Sequence, residues 1–172
     1  MRRCFVLTII GPDRPGLVES LSDVIVNHEG NWLESRMAHL AGQFAGLLLV
    51  TIPAERVEAW TAALDSLAGQ GVRIVVQGGE ESAAPARTLW LDVVGHDRPG
   101  IVRELARALR QRDVNVEELT SETYSAPMSG EALFKARLQL GVPADGDLDE
   151  LHQALDALAK QLSLDLTYEP VE

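Results

Sequence analysis

The stretch GPDRPGLV at residues 11–18 returns almost unchanged as GHDRPGIV at residues 95–102. In both copies a run rich in β-branched and aliphatic residues precedes it, Phe5 to Ile10 in the first and Leu89 to Val94 in the second. After it, apolar residues recur at one-turn spacing, as Leu17, Val18, Leu21, Val24, Ile25 and His28 do in the first copy. A strand therefore ends at Gly11-Pro12, and an amphipathic helix starts within a few residues. Pro15 and Pro99 suit the first helical turn. Asp13 and Asp97 lie where a carboxylate can cap free N–H groups. Gly16 and Gly100 carry no Cβ, which leaves the backbone open to close approach.

The repetition extends well past the loop. At an offset of 84, Leu21 lies over Leu105, Asn31 over Asn115 and Glu34 over Glu118. At an offset of 90, Phe44 to Pro53 lies over Phe134 to Pro143, and Leu64 to Ala68 then matches Leu155 to Ala159. The chain is an internal duplication whose second copy has an insertion near Tyr124–Gly130. Residues 1–77 form one unit and 88–172 the other. A polar, Gly/Ala-rich linker, 78–87, joins them.

Each unit reads as strand, helix, strand, strand, helix, strand. In the first, strands cover 3–10, 31–38, 43–52 and 72–77, with Gly30 placed to end the first helix. Val57, Trp60, Leu64 and Leu67 define its second helix. The second unit has strands at 88–94, 114–124, 132–142 and 163–169, with helices at 100–112 and 148–161. This order predicts the α+β class: two tandem ferredoxin-like βαββαβ domains, each an antiparallel four-stranded sheet with both helices on one face. Residues 47–52, LLLVTI, are apolar on both faces, whereas 134–140 alternate cleanly. The outer face of the first sheet should therefore be covered by another domain or subunit, which points to a homo-oligomer.

Composition narrows the function. The chain has 172 residues and a formal net charge of −11. Residues 1–77 hold 6 basic and 8 acidic groups, and 88–172 hold 8 and 16. Nucleic-acid backbones demand a basic surface, so direct binding to them is not expected. Arg103, Arg107 and Arg110 form a basic stripe at helical spacing, a solvated face or a contact for an acidic partner. The opening apolar run is too short for a signal peptide or a membrane span, so a cytoplasmic location follows. Cys4 is the single cysteine, and the four histidines do not fall at metal-ligand spacing. No P-loop or nucleophile elbow is present, so neither a cofactor nor enzymatic activity is expected.

The D-R-P-G loop after the first strand, the amphipathic helix and the Asn opening the next strand resemble the ACT domain, a small amino-acid-binding regulatory module. Two copies filling the chain are similar to the glycine cleavage system transcriptional repressor family, notably at HEGNWLESRMAHLAGQFAGLLLV (28–50) and SAPMSGEALFKARL (125–138). Some enzymes, including formyltetrahydrofolate deformylase, carry such a module ahead of a catalytic domain, and no such domain is expected here.

The resemblance implies a site between the loop of one domain and the second strand of a neighbouring one. Carried onto this chain, it comprises Asp13, Pro15, Gly16, Leu17 and Asn31, and in the second copy Asp97, Pro99, Gly100, Ile101 and Asn115. It further implies a small amino acid, glycine, as the signal and a LysR-type activator protein as the partner. A ligand-independent protein-interaction module is the alternative. Arg14 and Arg98 can pair with a carboxylate or stay solvated, and His96 in place of Pro12 is the main chemical difference between the loops.

Overall fold

The computed structural model describes residues 1–79 and 87–170. Residues 80–86, the middle of the expected linker, lie outside the described residues. The chain divides into two compact units, each with its own four-stranded antiparallel sheet. In the first unit, β1 (Arg2–Pro12), α1 (Leu17–Asn27), β2 (Asn31–Leu40), β3 (Gln43–Pro53), α2 (Val57–Ala68) and β4 (Arg73–Gly78) follow in order. A single 3-10 turn, Ala54–Arg56, leads into α2. The second unit repeats the pattern with β5 (Arg87–His96), α3 (Ile101–Arg110), β6 (Asn115–Ser125), β7 (Ala132–Val142), α4 (Leu148–Leu162) and β8 (Leu164–Pro170).

The strand orders are β2-β3-β1-β4 and β6-β7-β5-β8, so each D-R-P-G loop leaves a central strand. The two units also share an irregularity: the pairing register shifts between Trp32 and Glu34 in β2 and between Val116 and Glu118 in β6. Such a bulge increases local twist, and its recurrence marks the two units as one design.

Alternation decides which face is buried. Phe5, Leu7 and Ile9 of β1 pack with Leu48, Val50 and Ile52 of β3 against Leu21 and Ile25 of α1 and Trp60 and Leu64 of α2. Leu89, Leu91 and Val93 meet Leu105, Leu109, Leu151 and Leu155 in the same way. Both helices of each unit thus cover one sheet face, as the element order predicts. Val18 was expected on the apolar stripe of the first helix, but it is 46% exposed. Leu17, Leu21 and Ile25 already fill that face.

The uncovered faces differ sharply. On the first sheet, Leu47 pairs with Thr8, and Thr8 with Val75. Leu47, Val75 and Ile10 are all close to half exposed. On the second sheet, the Arg137 guanidinium lies 4.7 Å over the Trp90 ring, 3.0 Å from Glu169 and 3.8 Å from Asp92. The apolar outer face is therefore a property of the first unit.

Candidate ligand loops

The first glycine of the repeated motif is held by packing. A Cβ on Gly95 would lie 2.5 Å from Leu164 Cδ2 and 3.0 Å from the Ser163 carbonyl oxygen. One on Gly11 would lie 3.2 Å from the Gly71 oxygen and from Val72 Cα. At Gly95 a side chain would force its neighbours to shift, and at Gly11 the turn before β4 would have to give by a few tenths of an ångström. The second glycine has the opposite reason. Gly16 (φ 88°, ψ −4°) and Gly100 (φ 97°, ψ −1°) are left-handed, and a Cβ there would meet nothing within 4 Å.

These angles are those of the third residue of a type II turn, for which proline is the favoured predecessor. Pro15 and Pro99 thus act one position earlier than expected: they precede the helix cap and set the turn. The caps are Gly16 and Gly100, and neither helix has a side-chain cap hydrogen bond. The expected capping by Asp13 and Asp97 does not occur. Both aspartates instead anchor the loop by their backbone, Asp13 N–H donating to the Gly42 oxygen (3.0 Å) and Asp97 N–H to Ala132 (2.9 Å). Each helix therefore starts with first-turn amides, an anion-binding feature, beneath open space.

Strand register brings further residues to these loops. Asp13 Oδ2 lies 3.7 Å from His39 Nε2, and that nitrogen accepts a hydrogen bond from the Gly42 amide at 3.2 Å. In the second unit the roles are exchanged across the same hairpin: His96 Nδ1 lies 3.9 Å from Glu131 Oε2. A groove of about 440 Å³ beside the first loop is lined by Ile10, Gly11, Pro12, Gln43, Gly71, Val72 and Arg73. Arg73 pairs with Ile10 in the sheet, and Asp165 pairs with the equivalent Val94. Charge beside the two loops is thus of opposite sign.

Asn31 and Asn115 do not join the loops of their own units. Asn31 pairs with Thr51, which faces Cys4, while the loop follows Pro12, eight residues further along β1. That is roughly 26 Å at about 3.3 Å per residue. Asn115 stands equally far from its own loop, and its amide donates to Glu117 Oε1 at 2.5 Å. His39, Gln43 and Arg73 were missed by the sequence reading. Their signal is the hairpin register, which places Pro12 opposite Gln43.

The ACT domain pattern matches residues 3–77 and 87–169, both units almost entirely. The chain belongs to the ACT domain family. Curated relatives include the glycine cleavage system transcriptional repressor of Escherichia coli, 24% identical over 162 residues, covering 92% of this chain and 85% of the relative. Among solved structures, an unknown protein of Galdieria sulphuraria is 31% identical, with a TM-score of 0.89 and full coverage of both chains. A protein provisionally described as a glycine cleavage system transcriptional repressor shares the fold. It is 20% identical with a TM-score of 0.72, covering 100% of this chain and 99% of its own. The ferredoxin-like tandem is therefore that of ACT domains, and among the described residues no helix is long and apolar enough to cross a membrane.

Proposed function

We propose that this tandem ACT protein is a non-enzymatic, amino-acid-responsive regulator of transcription, cytoplasmic and acting through a protein partner. The observation that carries the reading is the pair of helix starts: a left-handed glycine, uncapped first-turn amides and open space above, built twice. The residues proposed for the ligand are Asp13, Pro15, Gly16 and Leu17, with Asp97, Pro99, Gly100 and Ile101 as their counterparts. Asn31 and Asn115 belong to the second wall.

Magnitudes require that wall. A carboxylate at a helix N-terminus gains about 0.3–1 kcal/mol when exposed and up to ~2 when partly buried. Even millimolar affinity needs about 4 kcal/mol. Since Asn31 stands at the far end of its own sheet, we take the wall from another copy of the chain, in keeping with a homo-oligomer. Arg73 beside the first loop, against Asp165 beside the second, favours the first loop as the stronger carboxylate site. The relationship to the Escherichia coli repressor makes glycine the first ligand to test, and a LysR-type activator the first partner.

The test is a thermal-denaturation panel of amino acids on the full chain. At a hundred times Kd, a ligand of the folded state adds about 2.7 kcal/mol, roughly 5–10 °C for a chain of this size. A shift confined to one or two small amino acids, lost in Arg73→Ala, supports the sensor. A flat panel with partner binding intact supports the ligand-independent interaction module instead, the reading favoured by the apolar outer face of the first sheet.

A further inference from the structure

The duplicated first helices have kept their buried side and reversed their exposed charge. At an offset of 84, Glu19 corresponds to Arg103 and Asp23 to Arg107, while Val18 corresponds to Val102. All six side chains face solvent. Helices α1 and α2 carry Glu19, Asp23, Glu58 and Asp65 and no basic residue. Helix α3 carries Arg103, Arg107 and Arg110 against the single Glu104, so the basic surface is that of α3, while α4 beside it carries Asp149, Glu150 and Asp156 against Lys160. Among the described residues, no carboxylate lies within 4 Å of Arg107 or Arg110, and Arg103 pairs only with its neighbour Glu104, at 82% exposure. So exposed a pair is readily exchanged.

The two layers are also complementary in shape. Val18 and Val26 are two exposed apolar side chains, two turns apart on α1 with Ser22 between them, at 46% and 66% exposure. Between α3 and α4 runs a groove of about 320 Å³ lined by Ala108, Ala154, Ala157 and Leu158 together with Arg107, Arg112 and Glu104; Arg112 is already paired with Glu150 at 3.5 Å. Alanine leaves room for a second helix to approach closely. Glu19 and Asp23 are one turn apart, as are Arg103 and Arg107, so both ion pairs form in a single docking.

We propose that α1 of one copy of this chain docks on α3 and the α3–α4 groove of a second copy. The sign of charge selects this pairing. Two α1 helices would set Glu19 and Asp23 against like charge, and two α3 helices would oppose their arginines. In a chain of net charge −11, the basic α3 face is also the local attraction that lets two copies meet. This deepens the homo-oligomer of the proposed function and rests on that part of it.

The test is sedimentation of the full chain over a concentration series at low and high salt. The parent should self-associate, and less tightly at high salt, because exposed pairs are screened. Glu19→Arg with Asp23→Arg, and separately Arg103→Glu with Arg107→Glu, should each weaken association about tenfold or more at low salt, about 1.4 kcal/mol. Combining all four substitutions should restore it. Glu19→Gln with Asp23→Asn, a milder pair, guards against misfolding and should weaken association in the same direction. Association that ignores every charge variant but is lost in Leu47→Glu places the contact on the first sheet's outer face and overturns this proposal alone. A chain monomeric at all concentrations overturns it together with the homo-oligomer.

Discussion

Replacing Gly100 separates backbone conformation from ligand access. At φ 97° an L-residue crowds its Cβ against the neighbouring backbone, a cost of about 1–2 kcal/mol. No further penalty arises, because an added Cβ meets nothing within 4 Å. The first helical hydrogen bond, Glu104 N–H to the Gly100 oxygen at 3.0 Å, involves backbone alone and survives the change. Gly100→Ala should therefore lower the melting temperature by roughly 2–8 °C, at about 2–4 °C per kcal/mol for a chain of this size. Gly100→Asn should cost markedly less, since asparagine tolerates the left-handed region. Gly100→Val should cost most, because β-branched residues are the poorest there. Circular dichroism melts of the three variants and the parent test that order. If asparagine is as damaging as valine, strain at this turn is not why glycine stands there. The matching Gly16 series, melted with and without amino acid, then reads function: asparagine that keeps the fold but abolishes ligand stabilisation shows that the open space is used.

Three further outcomes follow from single contacts. Gly95→Ala should destabilise the second unit by about 1–3 kcal/mol through overpacking, and because Leu164 is itself buried, the double variant with Leu164→Ala should cost less than the sum of the two single losses, measured by urea denaturation. Asp147 caps α4, its Oδ1 accepting from the amides of Asp149 (2.9 Å) and Glu150 (3.1 Å), so Asp147→Ala should cost about 1 kcal/mol in the same assay. Burial, and then the hydrogen bond its hydroxyl donates to Asp156 Oδ1 (2.8 Å), hold the Tyr168 phenol above its ordinary pKa near 10. The folded state thus favours the protonated phenol. Its contribution is complete below pH 10 and is lost as pH rises above that value, so Tyr168→Phe should flatten the alkaline fall in stability.

Local pattern made the fold legible. Period-two runs, one-turn spacing and the duplicated loop each constrain a few neighbouring residues, and all three agree on βαββαβ twice. What escaped the sequence depends on neighbours distant in the chain. Gly30 illustrates this. Its position after the first helix suggests a left-handed cap, yet Glu29 takes that conformation at φ 58°. Gly30 is glycine because a Cβ would lie 2.5 Å from Ile52 Cδ1 and 2.8 Å from the Ile25 oxygen. Only the return of β3 across the sheet reveals that crowding. In the same way, His39 reaches Asp13 through the hairpin register, which no local spacing encodes.

The loops and the asparagines illustrate a deeper limit. Both were recognisable in the sequence, yet within a unit they stand at opposite ends of the sheet. A loop with first-turn amides and no capping side chain is a half-site, too weak alone for useful affinity. On the proposed reading its partner surface comes from another copy, and ligand binding would then share a free energy with association. Any ligand that bridges loop and asparagine must then tighten the contact that brings them together, and the contact must raise ligand affinity by the same factor. That reciprocity gives such a protein a way to report an amino acid without doing chemistry on it.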